Sequence, residues 1–79
     1  MAGTSPREAL ATTLTNAAES RGISTSELSR ETHIPRETLR RKLAGASEFD
    51  MGELSTIATV LDLDMSALVT EYTAAKAAA

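Results

Sequence analysis

The sequence predicts an all-α fold of five short helices, and three observations support this prediction. Only four glycines and two prolines interrupt a chain of 79 residues. Apolar residues recur at intervals of three and four, which is the period of an amphipathic helix and not the alternation of a strand. Sequences that start helices occur repeatedly along the chain. A chain of this length supports one hydrophobic core, so we expect a single domain over residues 1–79.

Three of the predicted helices begin with a capping box, in which a side chain before the helix and a glutamate three residues later bond to backbone N–H groups. The three sequences are Ser5-Pro6-Arg7-Glu8, Ser24-Thr25-Ser26-Glu27 and Asp50-Met51-Gly52-Glu53. The third helix opens around Pro35, which presets φ but offers no side-chain cap. Asp64 can cap the fifth helix.

The predicted helices also have recognisable ends. We expect the first to stop near Gly22 and the second near Thr32. The third reaches Gly45, which suits the left-handed conformation that follows many helices. Residues 73–79 are rich in alanine at the end of the chain, and we expect them to form a frayed tail.

The apolar positions of the five helices define one predicted core. Its members are Leu10, Leu14, Ile23, Leu28, Ile34, Leu39, Leu43, Phe49, Leu54, Ile57, Leu61 and Leu68. Phe49 and Tyr72 are the two aromatic residues, so the chain lacks the stacking platforms of single-stranded nucleic-acid binders. There is no cysteine and one histidine, His33, so we expect neither a disulfide, a metal site nor a cofactor.

Charge is distributed unevenly along the chain. The net charge is −3, but residues 21–45 contain six basic and three acidic residues, which leaves −6 on the remainder. A local electropositive patch, and not the total charge, is what a phosphate backbone meets first. The alternative is that these charges only form a solvated helix face.

Two other classes of protein have no support in the sequence. No apolar stretch approaches the ~20 residues needed to cross a bilayer, and the first ten residues lack the basic and apolar regions of a signal peptide. We therefore expect a cytoplasmic protein. No nucleophile, base and orienting group can be named, and no glycine-rich phosphate loop is present, so we expect no enzyme and no catalytic residues.

Residues 22–45, GISTSELSRETHIPRETLRRKLAG, resemble the helix-turn-helix of the Cro/repressor (XRE-like, lambda repressor-like) DNA-binding family. Two short helices are joined by the tight turn Thr32-His33-Ile34-Pro35, and the second helix is the basic one. The positions that match the family in type are Gly22, Ile23, Ser24, Glu27, Leu28, Ile34, Thr38, Leu39 and Gly45. The motif occupies about residues 24–45, and the resemblance extends over residues 6–72. It implies a lambda repressor-like fold whose third helix enters the major groove of double-stranded DNA.

Three residues depart from the family pattern. Ser29 stands where the family often has alanine at the helix crossing. His33 replaces a glycine that often has positive φ, a conformation that histidine tolerates with some strain. Pro35 replaces a capping serine, so the third helix loses a side-chain cap.

The resemblance assigns base contacts to the start and outer face of the third helix. The residues there are Arg36, Glu37, Thr38, Arg40 and Arg41. Arg36 and Arg41 can bond to O6 and N7 of guanine, and Glu37 can accept from N4 of cytosine, so we expect G·C-rich positions in the bound site. The alternative for Glu37 is a charge that favours the helix start or pairs with Arg40 or Arg41.

Two further residues are candidates for phosphate contacts. Thr25, at the start of the second helix, can hold a backbone phosphate together with free helix N–H groups, and Lys42 can contribute from the far end of the third helix. The alternative for Thr25 is an ordinary first-turn residue after the Ser24 cap.

The function that the resemblance implies is a sequence-specific, double-stranded DNA-binding transcriptional regulator of the phage-repressor or Cro type. Such proteins commonly pair on two half-sites of an operator. Met65, Val69 and Tyr72 are the candidates for a weak homodimer contact. The alternative is an antitoxin or another protein-binding module of the same fold, whose acidic fourth and fifth helices hold a partner.

Overall fold

Residues 5–78 are described by the structure, a computed structural model, and they fold into five helices without a strand. The helices are α1 (Pro6–Ser20), α2 (Thr25–Thr32), α3 (Arg36–Leu43), α4 (Met51–Leu61) and α5 (Met65–Ala78). The predicted all-α class and the order of the five helices are confirmed.

Local sequence sets the start of most helices. Ser5, Ser24 and Asp50 each form the predicted capping box at the start of α1, α2 and α4. The Asp50 carboxylate, for example, accepts a hydrogen bond from the Glu53 backbone N–H at 2.7 Å. As expected, α3 follows Pro35 without a side-chain cap. Because each box satisfies N–H groups that a helix leaves unpaired, these starts need no tertiary contact.

The fifth helix extends further than the sequence predicted. It starts after Asp64, whose carboxylate accepts a hydrogen bond from the Ser66 backbone N–H at 3.3 Å. It continues to Ala78, so residues 73–78, where a frayed tail was expected, are part of α5; Ala79 lies outside the described residues. Alanine has the highest helix propensity of all residues, and α5 packs mainly against α1.

A Schellman motif ends α3. The backbone N–H of Gly45 donates to the Lys42 carbonyl, and that of Ala46 donates to the Arg41 carbonyl, both at 3.0 Å. Gly45 has the left-handed φ of 82° that this motif requires. A Cβ at Gly45 would lie 3.1 Å from Cγ of Glu8, so a larger residue here would have a strained φ and would also require a small shift of the Glu8 side chain.

All five helices contribute to the core. The most completely enclosed side chains are Leu14, Leu28, Leu39, Ile57 and Leu61. Of the predicted core, Ile23, Leu43 and Phe49 are only partly buried and pack against the central cluster. The prediction omitted four small buried residues, Ala11, Ala18, Thr32 and Ala58.

Candidate nucleic-acid interface

The turn between α2 and α3 is built by side-chain hydrogen bonds to its own backbone. His33 has a φ of 62°, which confirms the positive φ expected from its position. Ser29 Oγ donates to the Ile34 carbonyl at 2.5 Å, and Thr32 Oγ1 accepts from the Ile34 N–H at 3.3 Å. These bonds hold the strained histidine conformation and fix the point where α3 begins.

The two sides of α3 differ in chemistry. Leu39 is fully buried, and Leu43 packs against the core one turn later. Four of the residues that the resemblance assigned to DNA are exposed, namely Arg36, Glu37, Arg40 and Arg41. Thr38 is partly buried. One face of α3 therefore anchors the helix, while its exposed residues form a predominantly cationic surface.

Glu37 and Arg40 form an ion pair on this exposed surface. The Arg40 guanidinium donates two hydrogen bonds to the Glu37 carboxylate, one of them from Nε at 3.3 Å. The hydrogen bond and the charge of Arg40 lower the pKa of the Glu37 carboxyl, and the same contact raises the pKa of Arg40. Their side chains are 70% and 61% exposed, so solvent screens the pair and it adds little to stability.

The other two exposed arginines of α3 are less constrained. Arg41 donates from Nη2 to Ser47 Oγ at the long distance of 3.5 Å. Among residues 5–78, the Arg36 side chain forms neither a hydrogen bond nor an ion pair. Both guanidinium groups therefore keep donors available for a ligand.

Thr25 and Arg40 line the same depression between α1, α2 and α3. The depression has a volume of about 360 Å³, and its lining includes Thr25, Arg40 and Leu43. Thr25 is the first residue of α2, where backbone N–H groups have no helical carbonyl partner. The lining thus includes a hydroxyl, the amino end of a helix and a guanidinium, which are groups that can bind a phosphate, together with the acidic Glu19.

Lys42, one of the two residues expected to contact phosphate, is paired within the protein. Its ammonium forms an ion pair with the Glu53 carboxylate of α4, and the two side chains are only 15% and 19% exposed. This pairing was not predictable from the sequence, because the partners are eleven positions apart and on different helices. The periodicity of a helix does not predict contacts between residues on different helices.

Residues 5–78 contain neither a metal-binding cluster nor a membrane-spanning helix. This part of the chain contains no group of three or more His, Cys, Asp or Glu residues that could hold a metal ion. None of its helices combines the length and the apolar character that crossing a membrane requires.

Comparison with known proteins identifies the domain that carries this surface. A family model described as a Cro/C1-type HTH DNA-binding domain matches residues 13–71, most of the chain. The chain belongs to the Cro/C1-type helix-turn-helix DNA-binding family. Among solved structures it is similar to the clp gene regulator ClgR from Corynebacterium glutamicum, with a TM-score of 0.81 and 20% identity over 95% of this chain and 80% of that chain. At this identity the likeness shows the fold alone. Curated protein sequences gave no match.

The match to the Cro/C1-type domain contains α2, α3 and α4 entirely. The helix-turn-helix consists of α2, the turn that contains His33, and α3. Every residue that the sequence assigned to DNA lies within the matched span. In this family the second helix of the motif projects from the body of the domain, and the burial of Leu39 beneath exposed arginines is the pattern that such a projection needs.

Proposed function

We propose that this chain is a sequence-specific transcriptional regulator of the phage-repressor or Cro type, with α3 in the major groove of double-stranded DNA. The observation that carries the proposal is the division of α3 between a fully buried Leu39 and exposed Arg36, Arg40 and Arg41. A recognition helix must be anchored on one side and present long donors on the other. Because such a regulator acts on genomic DNA, we also propose a cytoplasmic location.

Arg36 and Glu37 are the first two residues of α3, and we assign base contacts to them. Arg36 has free donors for guanine, and the Glu37 carboxylate can accept from cytosine. Thr38 and Arg41 follow Arg36 and Glu37 along α3, and we assign them to the same DNA-contacting surface. In the unbound protein Glu37 is already paired with Arg40, so base contact by Glu37 requires this exposed pair to rearrange.

We assign the phosphate contact to Thr25 together with Arg40. Both side chains line the same depression beside the start of α2. A phosphate placed there would meet the amino terminus of α2 and would replace the Glu37 carboxylate as the partner of Arg40. Lys42 is omitted from this assignment because Glu53 already neutralises its charge.

We further propose a weak homodimer. Val69 is 43% exposed and Met51 is 66% exposed, and the two line one apolar groove of about 260 Å³. The other two residues first expected at the contact, Met65 and Tyr72, are partly buried against the core, and of these only Tyr72 also lines the groove. The Tyr72 hydroxyl also donates to the Glu48 carboxylate at 3.2 Å. We therefore centre the contact on Val69 and Met51.

The same groove is the observation that favours the alternative function, an antitoxin or other protein-binding module. Exposed large apolar side chains that share one groove are typical of protein contact sites. The two functions differ in what α3 must do. A protein-binding module that uses this groove does not require exposed arginines on α3.

The experiment that tests the proposed function is a selection of bound sequences from a library of random DNA duplexes. We expect enrichment of a G·C-containing half-site, repeated as a palindrome with half-site centres about 10 base pairs, or one helical turn, apart. Failure to enrich any sequence, with binding that depends only on salt, would contradict sequence-specific recognition and favour the protein-binding alternative.

A further inference from the structure

The carboxyl end of α3 is held by two side chains from α1. Thr15 Oγ1 donates to the Leu43 carbonyl at 3.3 Å, and Arg7 Nε donates to the Gly45 carbonyl at 3.0 Å. Both contacts are partly buried, and both connect residues more than twenty-five positions apart. They are therefore tertiary contacts between the first helix and the end of the proposed recognition helix.

The Thr15 contact is not redundant with the helix's own hydrogen bonds. The carbonyls of Arg40, Arg41 and Lys42 accept from backbone N–H groups in the turn that ends α3. The Leu43 carbonyl accepts from Thr15. Since a helix leaves its last carbonyls without internal partners, Thr15 supplies a donor that α3 itself does not provide.

A third contact joins the same end of α3 to α4. Lys42 pairs with the Glu53 carboxylate, and Oε1 of that carboxylate also accepts from the Asp50 backbone N–H at 2.9 Å. One carboxylate therefore caps α4 and holds the last turn of α3. Because both side chains are largely buried, this pair is less screened by salt than an exposed one.

We propose that Arg7, Thr15 and Glu53 are positioning residues that set the direction in which α3 projects, and thereby the alignment of its exposed side chains with base edges. The proposal rests on the proposed function of α3. The turn fixes the amino end of the helix, and the three contacts fix its carboxyl end. A helix of this length spans about 12 Å, so a displacement of ~1 Å at the carboxyl end tilts its axis by about 5°.

Such a tilt affects base contacts and phosphate contacts differently. A bidentate contact to a base edge tolerates only a narrow range of distance and angle. A long, flexible side chain on a phosphate adjusts more easily, because the contact is mainly electrostatic. Loss of positioning should therefore reduce sequence discrimination and leave non-specific affinity and its salt dependence unchanged.

Thr15→Val and Thr15→Ser are the matched test variants, because valine keeps the shape but loses the donor and serine keeps the donor. Each full chain is titrated with the duplex selected by the wild type and with a random-sequence duplex. For Thr15→Val we expect the preference for the selected duplex to fall about tenfold, within the range of one lost base contact. For Thr15→Ser we expect the preference to be retained.

A second variant and a measurement without DNA accompany this test. Glu53→Gln keeps an oxygen for the Asp50 cap but removes the charge that pairs with Lys42. Backbone residual dipolar couplings report the orientation of α3 relative to α1 and α4. We expect Thr15→Val and Glu53→Gln to change the couplings of α3, and Thr15→Ser to leave them as in the wild type.

The outcomes separate this proposal from the proposed function. Unchanged α3 couplings in both Thr15→Val and Glu53→Gln would overturn positioning, whatever the DNA data show. Changed couplings with an unchanged sequence preference would overturn the link between orientation and recognition. If the wild type itself selects no duplex, the proposed function is wrong, and so is the link between α3 orientation and recognition. The couplings would still show whether these residues orient α3.

Discussion

Glu37 is the acidic residue of α3, and it stands among arginines on a surface proposed to face DNA. Phosphates repel a carboxylate, so this residue weakens binding unless it makes a favourable contact. In the unbound protein that contact is the exposed pair with Arg40. On DNA it would be the amino group of a cytosine.

Replacing Glu37 with Gln tests this residue. We expect Glu37→Gln to change the preference at one base position and to strengthen binding to a random duplex slightly, because one negative charge is removed and Arg40 is released. Binding to a panel of single-base variants of the selected duplex measures both effects. Glu31→Gln, an exposed neutralisation on α2, is the control. An unchanged base preference in Glu37→Gln would show that Glu37 does not contact a base and acts only as a negative charge at the start of α3.

We expect the Glu8 carboxyl to make the stability of the protein depend on pH. Hydrogen bonds from the Ser5 backbone N–H and then from its hydroxyl lower the pKa of the Glu8 carboxyl. A carboxyl with a lowered pKa in the folded state contributes stability above its ordinary pKa, and this contribution is lost as pH falls through the lowered value. Because Glu8 is exposed, the effect is small.

We therefore expect Glu8→Gln to have a slightly lower unfolding temperature than the wild type at about pH 7, and a smaller deficit at about pH 3. Thermal unfolding followed by circular dichroism across this range measures the difference. Glu19→Gln, an exposed change of the same type on the same helix, is the control for removing one negative charge. A Glu8→Gln deficit that persists unchanged in acid would contradict the assignment.

At the scale of helices, the sequence predicts starts and ends better than it predicts how the helices are joined. The capping boxes at Ser5, Ser24 and Asp50, and the left-handed Gly45, depend on neighbours within a few positions, and all were predictable. The buried Thr32 was missed, because its hydroxyl is satisfied locally, by the Leu28 carbonyl at 2.7 Å. Polar residues with such a local partner can be buried at little cost.

The contacts at the carboxyl end of α3 were not predictable in the same way. Arg7 reaches Gly45, Thr15 reaches Leu43, and each contact depends on how α1 crosses α3. A family resemblance predicts the type of residue at matched positions, but it does not predict which side chains of different helices pair with each other. The assignment of seven residues to DNA rests on the resemblance and stays a prediction, and for Lys42 the side-chain environment differs from the one expected.

Lys42→Ala distinguishes a contact between helices from a contact with phosphate. We expect it to lower the free energy of unfolding by about 1–3 kcal/mol, because the Glu53 carboxylate loses its charged partner in a largely buried pair. We also expect the salt dependence of DNA binding to stay as in the wild type. Chemical unfolding measures the free energy of unfolding, and DNA titrations at several salt concentrations measure the salt dependence of binding. Lys76→Ala is the exposed control. A salt slope reduced by about one unit would instead assign Lys42 to a phosphate.

At the scale of the whole molecule, the proposed homodimer links the apolar groove to the symmetry of the operator. One helix in one major groove contacts only a few base pairs, so two copies bound to adjacent half-sites recognise a longer DNA sequence. The exposed side chains of Val69 on α5 and Met51 on α4 line the apolar groove. The contact is small, so we expect self-association to be weak in free protein and stronger on DNA.

Sedimentation velocity with and without the selected duplex tests the dimer. We expect Val69→Asn to weaken pairing on DNA about tenfold, the effect of losing one well-packed apolar anchor. Thr70→Ser, an exposed change on the same helix, should have no effect. A strictly one-to-one complex on a non-repeated site would contradict the dimer.

The distribution of charge over the molecule supplies the most direct test of the central claim, that α3 is the DNA-binding element. Titration of the selected duplex with a variant carrying Arg36→Ala, Arg40→Ala and Arg41→Ala is compared with a variant carrying Arg21→Ala, Arg30→Ala and Lys76→Ala. The two variants lose the same net charge, but only the first loses it from α3. Since none of these side chains is in the core, both variants should keep the wild-type helix content. We predict that the α3 variant loses detectable binding while the charge-matched variant stays close to the wild type, and equal weakening of the two would contradict recognition through α3.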